Sequence, residues 1–254
     1  MESPRNSSEK AIRPVVWICL AGLLILAVAV VAVSRRKSKG AEEAGGAPSH
    51  AIGQTETQGQ GVDESVQVKG TFETYRTALL QADYEAAWSI VDFHTKNFYS
   101  RAVQDGLSLA RPNLNRLNPM NKFMVLRTRV EFRKPEIQKL TGRALFEAAV
   151  TNGWISRSTL ERAPALHRVT VQDQYAAGYM EEAPQVPAFF FIKEAEGWKL
   201  SLWKSFDLVN AQLRADMQKA QKESGLSDDE FLLETLRRIS KYEVDPRILD
   251  GPID

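Results

Sequence analysis

Acid–base catalysis is the chemistry for which this sequence offers the most candidate residues. It needs a carboxylate or an imidazole with a shifted pKa beside a hydrogen-bond donor, inside an apolar pocket. Asp92 and His94 stand two residues apart at the end of a predicted helix, and Tyr99 follows them. In an enzyme, Asp92 would be the general base, with His94 or a tyrosine as the polarising donor. The other candidates are His167, Asp173, Tyr175 and Tyr179.

The same residues also have a purely structural interpretation, which we favour. Asp92 and His94 would then cap or end helices, and the tyrosines would pack in the core with their hydroxyls in water. Lone polar residues match catalytic patterns by chance, so they do not by themselves indicate an enzyme. Trp203 is the candidate for binding a ligand or a partner, because it is predicted opposite Trp198 on a strand.

Motifs of the common enzyme and metal classes are missing from the sequence. It contains no Gly-x-Ser-x-Gly, no Gly-Lys-Ser/Thr phosphate loop, no His-Glu-x-x-His and no Gly-x-Gly-x-x-Gly. Its three histidines are scattered, and its single cysteine, Cys19, precedes the folded part. The folded part can therefore form no disulfide and no thiolate metal site. We predict neither a metal nor a cofactor.

An unbroken apolar run of nineteen residues, VVWICLAGLLILAVAVVAV, occupies residues 15–33. At about 1.5 Å per residue it is just long enough to cross a hydrocarbon core of roughly 30 Å. Three basic residues precede it and four follow it. The run predicts a single-pass signal-anchor behind a short tail, residues 1–14. The alternatives are a signal peptide cleaved after Ala29 and a buried core helix. The flanking charges are too evenly balanced to decide the orientation.

The rest of the chain divides into a linker and one folded region. Residues 34–65 contain six glycines, many small polar residues and no aromatic one. Such a composition buries too little apolar surface to fold, so we predict a disordered linker. Residues 66–222 form the predicted domain, and residues 223–254 a capping helix and tail. Residues 66–254 carry 26 Lys and Arg against 25 Asp and Glu, which argues against nucleic acid as a partner.

Apolar spacing predicts helices in the first half of this region. Val68, Phe72, Tyr75 and Leu79 form a helical stripe, and Asp83 can cap a second helix. The other predicted helices are 95–109, 136–140 and 143–152, the last ending before Gly153. Residues 111–119 look like a loop, and 122–132 fit a helix or a strand equally well.

The second half of the region predicts an antiparallel sheet. Strands are expected around 169–171, 175–180 and 188–192, with a turn at Glu196-Gly197 and a return strand to residue 203. A helix over 208–222 and another after the capping box at Ser227 complete the pattern. Helices followed by an antiparallel meander indicate an α+β domain.

Two segments give the chain a resemblance to the nuclear-transport-factor-two-like (SnoaL-like) superfamily. They are ALLQADYEAAW at 78–88 and FFFIKEAEGWKL at 189–200. The resemblance covers 66–92 and 166–206, whereas 100–160 is longer and more helical than in the family. It implies a cone in which a curved sheet wraps around a long N-terminal helix. The family includes isomerases, dehydratases and hydrolases as well as many non-catalytic members.

A single-pass anchor before such a cone also resembles the inner-membrane scaffold subunit of VirB-type secretion channels. That resemblance implies a folded domain outside the cytoplasm. Our first hypothesis is thus a membrane-anchored binding or scaffold module that receives a small ligand or a protein. The alternative is an enzyme that uses acid–base residues inside the cone.

Overall fold

The computed structural model describes residues 58–155, 160–161 and 165–254. The predicted tail 1–14, the apolar run 15–33 and the linker up to residue 57 lie outside the described residues. Within the described part, no helix is both long enough and apolar enough to cross a bilayer.

The described region is an α+β fold. Along the chain, helices come both before and after one antiparallel sheet. The helices before the sheet are α1 (Gln58–Leu80), α2 (Tyr84–Ile90), α3 (Phe93–Ser108), α4 (Arg111–Leu114), α5 (Pro119–Glu131), α6 (Lys134–Ile137) and α7 (Gly142–Thr151). The strands are β1 (Arg168–Gln172), β2 (Tyr175–Tyr179), β3 (Pro187–Glu194) and β4 (Gly197–Leu200). After them come α8 (Leu202–Ser224), α9 (Asp228–Ile239) and a 3₁₀ helix, Pro246–Leu249.

Helix α1 begins at Gln58, inside the segment 34–65 that the composition predicts to be a disordered linker. Within that segment Glu64 makes a tertiary contact, an ion pair with Lys193 of β3 at 2.5 Å. Linker composition cannot reveal such a partner. The predicted stripe of α1 is confirmed, and its side chains Val68, Phe72, Tyr75 and Leu79 are all buried.

Helix starts and ends follow the cap residues in the sequence. Asp83 caps α2 by accepting a hydrogen bond from the backbone N–H of Ala86 at 3.0 Å. Helix α3 starts two residues before the predicted position 95, because Asp92 is its N-cap. Gly153, just after α7, has a φ of 71°, the left-handed conformation expected at this position.

Helix α5 resolves the ambiguous segment 122–132 as helical. Every residue from 122 to 129 is buried, so the helix has no solvent-facing side from which a period could be recognised. It starts at Pro119 behind the cap residue Asn118. The predicted loop 111–119 contains the helical turn α4, whose Leu114 is fully buried.

Three buried cations attach α5 to its surroundings: Lys122, Arg127 and Arg129. Lys122 Nζ donates to a carboxylate oxygen of Asp229 at the start of α9, and Asp229 also pairs with Arg111 at 2.9 Å. The Arg127 guanidinium lies 4.3 Å from the ring centroid of Trp154. Burial lowers the pKa of Arg127 to about 10, so the guanidinium still carries its charge at neutral pH.

Arg129 of α5 holds the end of α3 through backbone carbonyls. Its guanidinium donates to the carbonyl of Gly106 at 2.8 Å, to that of Asp105 at 3.2 Å and to that of Leu109. It also donates to the carbonyl of Ile248 in the 3₁₀ helix at 2.8 Å. The last carbonyls of α3 lack a full set of intrahelical donors, the C-cap supplying only the Leu109 N–H to Asp105 at 2.9 Å, and a cation at that end also suits the helix dipole. Arg129 thus joins three separate segments.

The sheet has the strand order β1-β2-β3-β4, and every neighbouring pair is antiparallel. Its buried face packs on α1, where the Phe72 and Phe189 ring centroids are 4.6 Å apart. The predicted hairpin is confirmed, but its loop is Ala195-Glu196. Gly197 is already paired with Glu194 and has a φ of 112°, a value that favours glycine.

The return strand ends at Leu200, and the prediction that it runs to residue 203 is wrong. Helix α8 starts at Leu202 rather than at 208. The Leu200 carbonyl accepts a hydrogen bond from the N–H of Asp92, and Ser201 N–H donates to the carbonyl of Phe190. Beyond this point the chain turns into the helix. Trp203 therefore lies on the first turn of α8 and not on a sheet face.

Residues after 222 share the core of the preceding ones. The predicted boundary at 222 falls within α8, which continues to Ser224. The capping box at Ser227 and Glu230 is confirmed at the start of α9. Phe231, Leu232 and Leu236 of α9 are buried in the same hydrophobic cluster as α1 and the sheet.

Candidate functional site

A cleft of about 360 Å³ opens between α3, α5 and the first turn of α8. Helix α3 contributes one complete side of it, with His94, Asn97, Phe98, Arg101, Ala102 and Asp105. These positions recur every three or four residues, so one face of the helix lines the cleft. Leu117, Asn121 and Val125 form the opposite wall, and Trp203 closes one end.

Aromatic rings form the apolar part of the cleft. Trp203 and Phe98 have ring centroids 5.8 Å apart, and Phe98 lies 4.5 Å from Phe206 behind it. The backbone N–H of Trp203 donates to the Thr95 hydroxyl at 3.1 Å, which places the first turn of α8 against α3. The result is a firmly held aromatic surface on which a planar group could stack.

Polar groups converge on the remainder of the cleft. Arg101 is exposed at its mouth and Asp105 is half-buried one turn further along α3. Burial raises the pKa of Asp105, although Arg101 and Arg129 act in the opposite direction. The Asn121 side-chain oxygen is buried and has no hydrogen-bond partner among the described residues. The cleft thus combines an aromatic end with amide, cationic and carboxylate groups.

Asp92 does not face this cleft. Its carboxylate accepts hydrogen bonds from the backbone N–H of Thr95 and from the Ser201 hydroxyl, both at 2.9 Å. It is 1% exposed, so neither oxygen is open to a reacting group. In the described structure Asp92 acts as the N-cap of α3 and as a link to the end of β4.

His94 and Tyr99 lie in different surroundings. The His94 side chain is exposed at the rim of the cleft, beside the ring of Phe93. Tyr99 is buried in the core, where its ring packs edge-on against Phe146 at 5.5 Å. Burial raises the pKa of Tyr99 well above its ordinary value, although Arg127 opposes the shift. The hydroxyl therefore stays protonated at neutral pH.

The structure brings together two of the four principal sequence candidates. His94 and Trp203 line one cleft, whereas Asp92 and Tyr99 are engaged in packing elsewhere. The secondary candidates belong to the β1–β2 hairpin or precede it, and none of them lines the cleft: His167, Asp173, Tyr175 and Tyr179. Tyr179 there stacks under the Arg168 guanidinium at 4.0 Å.

Asn97, Arg101 and Asn121 also line the cleft and are not among the site residues predicted from the sequence. A usable pattern was present for the first two, because they follow His94 at positions 3 and 7 along the same helix face. Asn121 belongs to α5, where the burial of every residue from 122 to 129 hides the periodicity that would show its orientation. Within the part of the chain that the structure describes, no group of three or more His, Cys, Asp or Glu side chains is arranged to hold a metal.

No family model, no curated protein and no solved structure matches this chain.

Proposed function

We propose that this chain is a membrane-anchored binding module whose cleft between α3, α5 and α8 receives a small ligand. The observation that carries the proposal is the shared position of His94 and Trp203 on that cleft. A planar ring could stack on Trp203 and Phe98, while Arg101 and His94 suit a negatively charged substituent. The apolar run 15–33 supports the anchor, and by analogy the domain lies outside the cytoplasm.

We further propose that the fold is a variant of the nuclear-transport-factor-two-like cone. Support comes from the long helix α1 against the buried face of a four-stranded antiparallel meander. The helices α4 to α7 would then be an addition specific to this chain, inserted where the resemblance is interrupted at 100–160. A scaffold role in a membrane assembly is compatible with this arrangement, with the cleft serving a partner's side chain.

Catalysis is the weaker alternative. Asp92 is buried away from the cleft. Among the described residues, His94 and Asp105 are then the acid–base groups that line it. They stand eleven positions apart on α3, which corresponds to about 16 Å of helix rise. A general acid and a general base must both reach the reacting group within hydrogen-bond distance. This pair is too widely separated to act on one small substrate bond.

A ligand screen observed through the tryptophan side chains tests the binding proposal. The full chain in nanodiscs, labelled with ¹⁵N-tryptophan, has five tryptophans and so five indole N–H signals. We expect aromatic carboxylates from a fragment library to shift the Trp203 signal and to leave Trp154, in the core, unchanged.

Two variants provide the matched controls. Trp203→Leu should abolish binding of the fragment hits while thermal unfolding shows a folded domain, whereas Asp92→Asn should retain binding. If the hits bind Trp203→Leu as well as the parent chain, the cleft is not the ligand site. If Asp92→Asn abolishes function in a folded protein, the enzyme hypothesis takes precedence, with Asp92 as its base.

A further inference from the structure

A second crevice, of about 450 Å³, lies at the C-terminal end of α5. The end of α5, the start of α6 and the C-terminal segment 242–254 enclose it. Its lining carries five carboxylates and two guanidinium groups. We refer to it as the C-terminal crevice. None of its residues lines the cleft at His94 and Trp203.

Three of the five carboxylates are already engaged. Glu136 accepts a hydrogen bond from the backbone N–H of Arg133 at 2.7 Å. Asp245 accepts hydrogen bonds from the Arg247 guanidinium at 2.6 and 2.8 Å. Asp254 lies 3.5 Å from Lys134 Nζ. One of the two guanidinium groups, that of Arg129, is occupied by backbone carbonyls.

Glu131 is the unusual carboxylate of the crevice. Its side chain is 94% buried, being 6% exposed, yet none of the described residues donates a hydrogen bond to it. Glu131 forms an ion pair with Arg127 one turn earlier on α5, but Arg127 Nε lies 4.0 Å from the carboxylate and makes no hydrogen bond. Burial raises the pKa of Glu131, with Arg127 and Lys241 opposing the shift. A largely enclosed carboxylate whose one ion pair is long and has no hydrogen bond gains from a cation that donates to it directly.

Aromatic and acidic groups surround the entrance to Glu131. The Tyr242 ring is 56% exposed at the rim, although large apolar side chains usually turn inwards. Phe132 adds a second, half-buried ring, and Glu243 adds an exposed carboxylate next to Tyr242. Aromatic faces attract ammonium and guanidinium groups, and their edges also cover the apolar stem of such ligands.

We propose that the C-terminal crevice binds an organic cation, an alkylammonium or guanidinium group that donates to Glu131 and lies against Tyr242. Glu243 provides a second negative charge at the rim. Arg133, also at the rim, opposes entry of the cation and so limits its affinity. A free amine and a lysine or arginine side chain of a partner present the same chemistry to this site.

Agmatine, which carries a guanidinium and an ammonium on one short chain, is a suitable probe. Titration calorimetry on the full chain in nanodiscs of zwitterionic lipid should show saturable binding, with no binding of pentanamide as the neutral control. A short acetylated peptide with one arginine tests the second source of the same group. Tighter binding of the peptide than of agmatine would assign the site to a protein side chain.

Variants locate the cation within the crevice. Glu131→Gln should weaken agmatine binding by about ten- to a hundredfold, the worth of a hydrogen bond to a charged group. Because Glu131 also lies beside Arg127, Glu131→Gln changes the core as well as the crevice. A second variant that leaves the core intact is therefore needed. Tyr242→Ser should weaken binding about two- to fivefold, as expected for an exposed cation–π contact. Arg133→Gln should strengthen it.

Agmatine binding should not depend on the cleft at Trp203. The Trp203→Leu variant should therefore bind agmatine with the affinity of the parent chain. Unchanged agmatine affinity in both Glu131→Gln and Tyr242→Ser would overturn the proposal. So would equal binding of pentanamide, or the absence of saturable binding. Failure of the fragment screen at Trp203 would leave this site unaffected.

Discussion

Asp92 and Ser201 join two helix starts that are 109 positions apart in the chain. The Ser201 hydroxyl donates to the Asp92 carboxylate at 2.9 Å, while the other carboxylate oxygen caps α3 at Thr95. The backbone is joined at the same place, where the N–H of Asp92 donates to the carbonyl of Leu200 at 3.0 Å. A residue that suggests a catalytic base thus acts as the connection between α3 and the end of the sheet.

We expect Asp92→Ala to lower the free energy of unfolding by about 1–2 kcal/mol, because it removes an N-cap and leaves Ser201 without its acceptor. Asp92→Asn keeps one acceptor oxygen and should cost less. Urea unfolding of the two variants, with Ser201→Ala for a double-mutant cycle, measures the effect. Additive losses for Asp92→Ala and Ser201→Ala would contradict a direct coupling.

Trp198 on β4 should be among the most sensitive positions of the sheet. It is 5% exposed in the main core, so Trp198→Ala should cost about 3–5 kcal/mol. Lys199 points to the other face, where its Nζ donates to the Ser89 carbonyl at 3.0 Å. Lys199→Ala should therefore cost about 0.5–1.5 kcal/mol, the worth of one hydrogen bond. Similar losses at the two positions in chemical denaturation would show that the strand register is different.

Arg127 should not tolerate replacement by lysine. Its guanidinium stacks on the Trp154 ring at 4.3 Å, and an ammonium has no plane with which to do so. We expect Arg127→Lys to destabilise the domain by about 2 kcal/mol, the value of a desolvated cation–π contact. Thermal unfolding monitored by near-ultraviolet circular dichroism measures this. As a control, Arg101→Lys at the cleft mouth should leave the melting temperature unchanged.

Asp229 should make the domain sensitive to acid. Burial raises its pKa, but hydrogen bonds from Lys122 and Arg111 together outweigh that effect, and the pKa lies below its ordinary value. A depressed carboxylate pKa stabilises the fold above the unfolded pKa, roughly pH 4, and the benefit is lost as pH falls through the folded value. Asp229→Asn should remove this part of the acid sensitivity and cost about 1–3 kcal/mol at pH 7, since Lys122 stays buried. An unchanged slope of stability against pH in Asp229→Asn would contradict this assignment.

The apolar run 15–33 should hold the full chain in the membrane through a carbonate wash. A shortened chain beginning at Gln54, ahead of α1, should appear in the soluble fraction, because it lacks the only run of this length. Cell fractionation with immunoblotting distinguishes the two. A mature N-terminus near Val30 would instead indicate a cleaved signal peptide.

Local chemistry made several elements predictable. The caps at Asp83 and Ser227, the stripe of α1 and the β3–β4 hairpin each depend on residues within a few positions of one another. Such short-range patterns can be recognised directly in the sequence. By contrast, residues 122–129 of α5 are all buried and include three cations, so the sequence shows no alternation of polar and apolar faces.

The site was less predictable because its parts come from distant segments. His94 and Trp203 meet only through the docking of α8 on α3, which the sheet and the Thr95–Trp203 hydrogen bond determine. The early start of α8 reversed the expected role of Trp203, from a sheet residue to the end wall of a helical cleft. Tertiary contacts of this kind override a local strand pattern.

Arg129 also sets the time at which the domain can be completed during its synthesis. The Ile248 carbonyl that it holds lies 119 residues later in the chain. Since a ribosome releases its product from the N-terminus onwards, α5 emerges long before this acceptor exists. Until then the guanidinium has its acceptors at the end of α3 but lacks the one at Ile248, and an unsatisfied donor costs about 1–3 kcal/mol if it is buried. The buried contacts of Arg129 are therefore completed only after residue 248 has been synthesised, so the packing of α5 is finished long after the helix itself has emerged.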